Sequence, residues 1–202
     1  MKKAIIFDLD GTLWNTTKEC TLVWSKVAKN YNLKVNRKQI KEIMGLTKEE
    51  IIKYFFEDNS ELGNKFITEC QNKENEYLKQ YGGTIYQNTI KTIKELSKNY
   101  ELFIVSNCQS GYIEAFLNYY DLGHYFKDYE CYGNTGKSKE YNINILMERN
   151  NIKNVVYVGD TEKDYLASTC NNIRFIWAKY GFGMCNYCND YVNDIFELLR
   201  KL

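Results

Sequence analysis

Proline is missing from all 202 residues, and histidine occurs once, as His124. Without proline the turns carry no rigid punctuation, so boundaries must be read from glycine, asparagine and the hydrophobic pattern. The abundance of Asn, Lys, Ile and Tyr beside that absence is a bias of AT-rich coding and says nothing of function. Charge of one sign is not in excess: Lys+Arg number 27 against Asp+Glu 26, which leaves no net field for nucleic acid or a membrane surface. The eighteen tyrosines are spread along the chain with no basic patch, so they offer no stacking platform for bases. No run approaches the ~20 apolar residues that span a bilayer. Residues 4–7 are far too short for a signal-peptide core, and acidic residues follow at once. The expectation is a cytoplasmic protein, a monomer or weak homodimer, with no nucleic-acid or membrane partner.

Disulfide architecture is not expected either. Seven cysteines, an odd number scattered through a chain of this size, make no framework, and a cytosolic protein keeps them reduced as small hydrophobes near the core. Cys185 and Cys188 form a CxxC pair, but no second CxxC or HxxxH lies nearby to complete four zinc ligands. His124, within DLGHYF, reads as a surface or packing residue.

What is present is a set of short apolar runs at residues 4–7, 102–105, 155–158 and 173–177, β-branched or aromatic like strands buried on both faces of a parallel sheet. Helical patterns at 112–119, 140–149 and 162–170 alternate with the later runs, which predicts an α/β fold with a doubly wound parallel sheet. Residues 15–82 break the alternation. They contain amphipathic helical segments, such as 21–31 and 48–56, and no strand-like run. That is far more chain than one crossover helix needs, so a small helical cap domain is expected as an insertion after the first strand. The division predicted is 1–14 and 83–202 for the core and 15–82 for the cap, with a helix over 87–99 returning the chain to the core. Residues 191–202 read as a terminal amphipathic helix packed on the sheet.

Ligands of open α/β sheets bind at the carboxyl ends of strands, so the residues where each apolar run stops are candidates for chemistry. The first run stops at Asp8 and Asp10, the second at Ser106 and Asn107, and the 155–158 run at Gly159 and Asp160, with Asp164 one helical turn on. Carboxylates from two strands converging on one edge repel unless a cation lies between them, and hard oxygen ligands suit magnesium. A cation held there would also neutralise a phosphoryl group that the acidic cluster would otherwise repel.

These residues carry a resemblance. DLDGTL at 8–13, directly after an N-terminal strand, resembles the first motif of the haloacid-dehalogenase-like hydrolases; Ser106-Asn107 resembles the second and GDTEKD at 159–164 the fourth. TGKSKE supplies the basic third motif. In order and placement the likeness covers essentially the whole chain. It implies a Rossmannoid core and a magnesium-dependent phosphatase acting on a small phosphorylated metabolite, phosphoglycolate-like or a sugar phosphate. On this likeness Asp8 is the nucleophile that forms an aspartyl-phosphate, and Asp10 is the general acid and base. Asp8, Asp160 and the main-chain carbonyl of Asp10 would hold magnesium, with Asp164 as ligand or support. Thr12, Ser106 and the amide of Asn107 would hold phosphoryl oxygens. Relatives usually carry Lys-Pro in the third motif. Here the chain reads Lys137-Ser138-Lys139, and Lys139 is favoured because a helix begins just after it, with Lys137 as the alternative.

The helical insertion points to phosphoglycolate-phosphatase-like enzymes, because a cap that closes selects small substrates and excludes water. Gly45-Leu46, between two cap segments, either places backbone near the substrate or is a helix–helix turn. A β-phosphoglucomutase-like phosphomutase shares core and cap position. A dehalogenase has no need of Asp10. A silent phosphometabolite-binding protein would keep the fold without turnover.

Overall fold

The computed structural model describes residues 3–57 and 60–202; Met1 and Lys2 of the expected core, and Asp58 and Asn59 of the expected insertion, lie outside the described residues. Strand β1 (Lys3–Phe7) shows how the sequence builds the sheet. Ile5 and Phe7 point into one buried cluster and Ala4 and Ile6 into another, so the strand is apolar at every position yet feeds two cores. Each Ile or Phe buried in this way contributes about 1.5–3 kcal/mol, which anchors the strand that carries Asp8 at its end.

After β1 the chain makes the two-residue strand β2 (Trp14–Asn15) and then four helices: α1 (Thr17–Ala28), α2 (Arg37–Ile43), α3 (Lys48–Phe56) and α4 (Ser60–Tyr81). Asn36 and Thr47 start α2 and α3 with capping boxes closed by Gln39 and Glu50. The four helices share a buried cluster of their own, with Trp24, Ile40, Ile52 and Phe66 in it, separate from the clusters of the sheet. Strand β3 (Thr84–Ile85) brings the chain back by pairing antiparallel with β2, so the exit and return of the helical segment are tied together. Trp14, stacked edge-on against Tyr112 and Phe116 with centroids 5.1 Å apart, holds that tie to the core.

The remainder runs α5 (Thr89–Leu96), β4 (Tyr100–Ser106), α6 (Tyr112–Tyr119), β5 (Phe126–Cys131), α7 (Tyr132–Thr135), α8 (Lys139–Arg149), β6 (Val155–Gly159), α9 (Glu162–Cys170), β7 (Arg174–Ala178), β8 (Tyr191–Val192) and α10 (Leu198–Lys201). The sheet has the order β5-β4-β1-β6-β7-β8 with every pairing parallel. Residues of α5 and α6 pack on one face and of α8 and α9 on the other, so the sheet is α/β and doubly wound, as expected. The strand order reverses at β1, which makes its carboxyl end the topological switch point.

Two expectations need correction. Residues 191–202 are not one helix: Tyr191–Val192 adds to the edge of the sheet beside Trp177–Ala178, and helical turns begin only after Asp194, whose carboxylate accepts from Phe196 N at 2.7 Å. Cys185 and Cys188 are not reduced but joined in a disulfide, because the turn at Asn186-Tyr187 between them brings their Cα atoms to 5.4 Å. The other cysteines are free, and Cys20, Cys70 and Cys131 among them are buried as small hydrophobes. No described helix is long and apolar enough to cross a membrane.

Candidate active site

Asp8 sits one residue beyond β1, and its amide donates to Val158 O of β6 at 2.8 Å, so backbone pairing continues right up to the carboxylate. Lys139 is the first residue of α8 and is buried; its Nζ reaches Asp8 Oδ1 at 2.8 Å and Asp164 Oδ1 at 2.6 Å. Burial works against the ammonium, but Asp164 and Asp8 outweigh it and hold the Lys139 pKa well above the ordinary value. Lys137, the alternative, is exposed on the preceding turn. Of the two, only Lys139 is bonded to Asp8.

Asp164 is oriented by the start of α9. Thr161 caps the helix and, with Asp164 at its third position, forms a capping box in which Asp164 Oδ2 accepts from Thr161 N at 3.0 Å and Thr161 Oγ1 at 2.6 Å. Asp160 is completely buried after β6, with Oδ2 accepting from Phe182 N at 2.6 Å and Gly183 N at 3.1 Å. Gly11 and Gly181 close around this carboxylate: a Cβ on Gly11 would meet Asp160 Oδ2 at 2.2 Å, and one on Gly181 would meet Asp160 Cβ at 2.3 Å. Gly11 also has φ +81°, which turns the chain sharply after Asp10.

Carboxylate oxygens of Asp8, Asp160 and Asp164 all lie within 4.8 Å of one another. Asp160 Oδ1 is buried without any hydrogen-bond partner, and one lysine faces three carboxylates. Burial, together with Asp164 and Asp8, pushes the Asp160 pKa well above the carboxylate range. Burial also raises Asp8, against the pull of Lys139. An orphaned oxygen among clustered hard donors is the environment a divalent cation such as magnesium would satisfy.

Asp10 lives in different company. Its Oδ1 accepts from Tyr112 OH at 2.8 Å and Thr16 Oγ1 at 3.2 Å, and the side chain stands outside the metal-sized cluster. Burial pushes its pKa up to about 8, with Tyr112 opposing and the charges of Asp8 and Glu74 adding to the rise.

Asp8, Asp10, Ser106 and Asn107 line one cavity of about 60 Å³ between the sheet edge and the helices. Asn107 Nδ2 donates to Gly45 O at 3.0 Å, so the Gly45-Leu46 turn does bring backbone to the site. Thr12 does not line the cavity; its hydroxyl is buried without a partner and its carbonyl accepts from Tyr180 OH at 2.8 Å. The sequence reading missed the helical wall: Trp24 from α1 and Glu74 from α4 line the same cavity, as do Gln109 and Tyr112 on the core side. The signal for Glu74 was its register. It follows Ile67 and Cys70 along the buried face of α4 and precedes Leu78, so a carboxylate occupies a position the helical period reserves for a core side chain. Further contacts tie the two walls, Lys163 to Glu50 at 2.5 Å, Asn75 to Ser110 O at 2.8 Å, and Tyr132 to Glu49.

The family model described as haloacid dehalogenase-like hydrolase matches residues 5–178. No curated protein is a match in sequence. Among solved structures, a haloacid dehalogenase-like family hydrolase from Streptococcus pneumoniae superposes with a TM-score of 0.86 at 18% identity, covering 99% of this chain and 98% of the other. A protein from Clostridium acetobutylicum described as a predicted phosphatase gives 0.83 at 23% identity, covering 100% and 98%. One from Haemophilus somnus described as a predicted phosphoglycolate phosphatase gives 0.86 at 18%, covering 99% and 97%. At these identities the likeness is one of fold.

Proposed function

The chain belongs to the haloacid dehalogenase-like hydrolases, and on that premise we propose that it is a magnesium-dependent phosphatase of small phosphate monoesters, with Asp8 as nucleophile. The observation that carries the reading is the position of Asp8: at the switch point of the sheet, buried, ion-paired to Lys139, and facing a cavity it shares with Asp10. Asp8 Oδ attacks phosphorus while the bond from phosphorus to the ester oxygen breaks, and the leaving alkoxide takes its proton from Asp10. Water then attacks the phosphorus of the aspartyl-phosphate, its proton passing to Asp10, and phosphate leaves as the Asp8 carboxylate is restored.

Asp10 is suited to begin this cycle protonated, since burial and the neighbouring carboxylates raise it while Tyr112 and Thr16 fix its orientation. Lys139 would balance charge on Asp8 and on the transferring group, and Ser106 with the main-chain amide of Asn107 would receive phosphoryl oxygens. Asp8, Asp160 and Asp164 are the residues that would hold magnesium, with the carbonyl of Asp10 as a further ligand. Magnesium bound there supplies positive charge against the phosphoryl oxygens. The helices of residues 15–82 act as a cap that closes the cavity and excludes bulk water, and the two-strand tie β2–β3 is the point about which it would move.

Phosphate release from a panel of small esters, with magnesium and with a chelator, tests the reading. Wild type is expected to release phosphate only with metal, and Asp8→Asn to lose at least about a thousandfold in rate. Equal activity in Asp8→Asn would remove Asp8 from the mechanism.

A further inference from the structure

The phosphatase reading leaves open what the leaving alcohol looks like, and the inner cavity constrains it. Asp10 protonates that alcohol, so the leaving group must lie beside Asp10. After Asp8, the charge that Asp10 feels most is Glu74 of the cap. Glu74 is 6% exposed; its Oε2 accepts from Trp24 Nε1 at 2.5 Å and its Oε1 from Gln109 Nε2 at 3.4 Å. Cys20 bonds the same carboxylate, all three partners are neutral, and burial raises the Glu74 pKa against their pull. Among the described residues lining this cavity there is no lysine, arginine or histidine.

A second acceptor belongs to a residue that lines the same cavity. Asn107 is fixed in orientation because Nδ2 donates to Gly45 O, which leaves Oδ1 as the acceptor, and that atom is buried with no donor. An orphaned amide oxygen costs about 1–3 kcal/mol unless something donates to it. Beyond it, an outer chamber of about 300 Å³ shares Gln71, Asn107 and Gln109 with the inner cavity and adds Asn72 and Asn75. Its one cation among the described residues, Lys48, is half-buried, donates to Thr68 Oγ1 at 3.0 Å and lines the outer chamber but not the inner one.

We propose that Glu74 is a specificity-determining residue that admits a leaving alcohol bearing a hydrogen-bond donor, hydroxyl or ammonium, and rejects one bearing a carboxylate next to the ester carbon. This rests on the phosphatase reading. A carboxylate on the carbon that carries the ester oxygen, as in 2-phosphoglycolate, would enter the inner cavity beside Glu74 with no lysine, arginine or histidine in its lining to meet it, whereas a hydroxyl or ammonium donates to Glu74 and Asn107 Oδ1. The enzyme is therefore unlike a phosphoglycolate phosphatase in substrate, whatever its likeness in fold.

The test compares kcat/KM for glycerol 2-phosphate, a hexose 6-phosphate, phosphoethanolamine and 2-phosphoglycolate, in wild type and Glu74→Gln. Magnesium-dependent turnover of p-nitrophenyl phosphate, lost in Asp8→Asn, reports the phosphatase reading separately. Wild type is expected to favour at least one donor-bearing ester over 2-phosphoglycolate by about tenfold or more, and Glu74→Gln to shrink that ratio by about tenfold, since a buried site discriminates mainly through groups left unpaired or opposed. The hydroxyl and ammonium arms identify which donor is used. A wild-type preference for 2-phosphoglycolate overturns the assignment of Glu74 while the phosphatase reading stands, and needs no variant to be seen. A ratio unmoved in folded Glu74→Gln does the same. No turnover of any ester, p-nitrophenyl phosphate included, overturns both.

Discussion

The sheet side and the helical side of the site handle buried charge in opposite ways. On the sheet side, Asp8, Asp160 and Asp164 are set at strand ends and the start of α9, clustered within 4.8 Å, and met by the ammonium of Lys139. On the helical side a single carboxylate, Glu74, is held by an indole and an amide, with no ion pair. The first arrangement is expensive in desolvation and is sustained by rigid backbone on every side, which suits groups whose positions set the reaction. The second is carried by α4, which packs on α6, buries Leu78 in the core cluster and is joined to the core also by the β2–β3 pair and polar contacts. On the proposed reading, chemistry belongs to the sheet side and selection to the helical side.

The comparison breaks most visibly at Lys139. Lys139→Met removes the one cation from the sheet-side cluster, and leaving buried carboxylates unpaired costs about 3–5 kcal/mol. The variant should unfold at lower temperature in chelator, and magnesium should recover part of the loss; activity should fall about a hundredfold or more through lost charge stabilisation. Unchanged melting in chelator would mean that the cluster is not held by Lys139.

Gly11→Ala asks how tightly the sheet side is built. A methyl there collides with Asp160 Oδ2 and forces a side chain into a left-handed backbone conformation, which costs about 1–3 kcal/mol. Magnesium affinity, measured by calorimetry, should weaken along with stability, because Asp160 must move; full affinity in the variant would show that Asp160 is not a ligand.

A smaller effect belongs to the outer edge of the sheet, where Arg149 spans Asp128 and Glu130. Burial raises the Asp128 pKa, but hydrogen bonds from Arg149, Asn150 and Tyr129 N outweigh it and leave the value below the ordinary 3.8. A lowered folded-state pKa means stability that is present above the ordinary value and is lost as pH falls through the folded one. Asp128→Asn should therefore cost under about 1 kcal/mol at neutral pH and converge with wild type as pH falls below the ordinary 3.8 and through the lowered folded value, read from denaturant midpoints. A difference that persists at low pH would assign the effect to packing instead.

The legible parts of this molecule were those where one physical pattern dominates. Residues 4–7 and 102–105 are apolar on both faces, so both strands and the polar residues at their ends could be read directly, and Asp8, Asp10, Ser106 and Asn107 do line one cavity. Lys139 could be preferred to Lys137 because a helix was expected to begin just after it; the helix starts at Lys139 itself, whose Nζ reaches Asp8. Strand β5 was hidden because Asp128 and Glu130 interrupt its apolar pattern, their charges being met by Arg149 from a distant helix. The strands β2 and β3, two residues each, have no period to detect and depend on Trp14 packing against α6. Residues 191–202 satisfy a helical period equally well as a short edge strand followed by tight turns, and without proline nothing in the sequence marks the break. Glu74 lay among Lys73 and Glu76 on a charged helix and could be separated from them only by register. The disulfide between Cys185 and Cys188 follows from a loop conformation that no spacing rule encodes.

The central claim is that Asp8 becomes phosphorylated. Acid quench of the enzyme with a ³²P-labelled ester during turnover, followed by peptide mapping, reads that directly. The account predicts a base-labile label on the peptide that carries Asp8, absent from Asp8→Asn and lost on chase with unlabelled ester. Turnover with no label on that peptide while Asp8→Asn stays active, or label on a different residue, would contradict it.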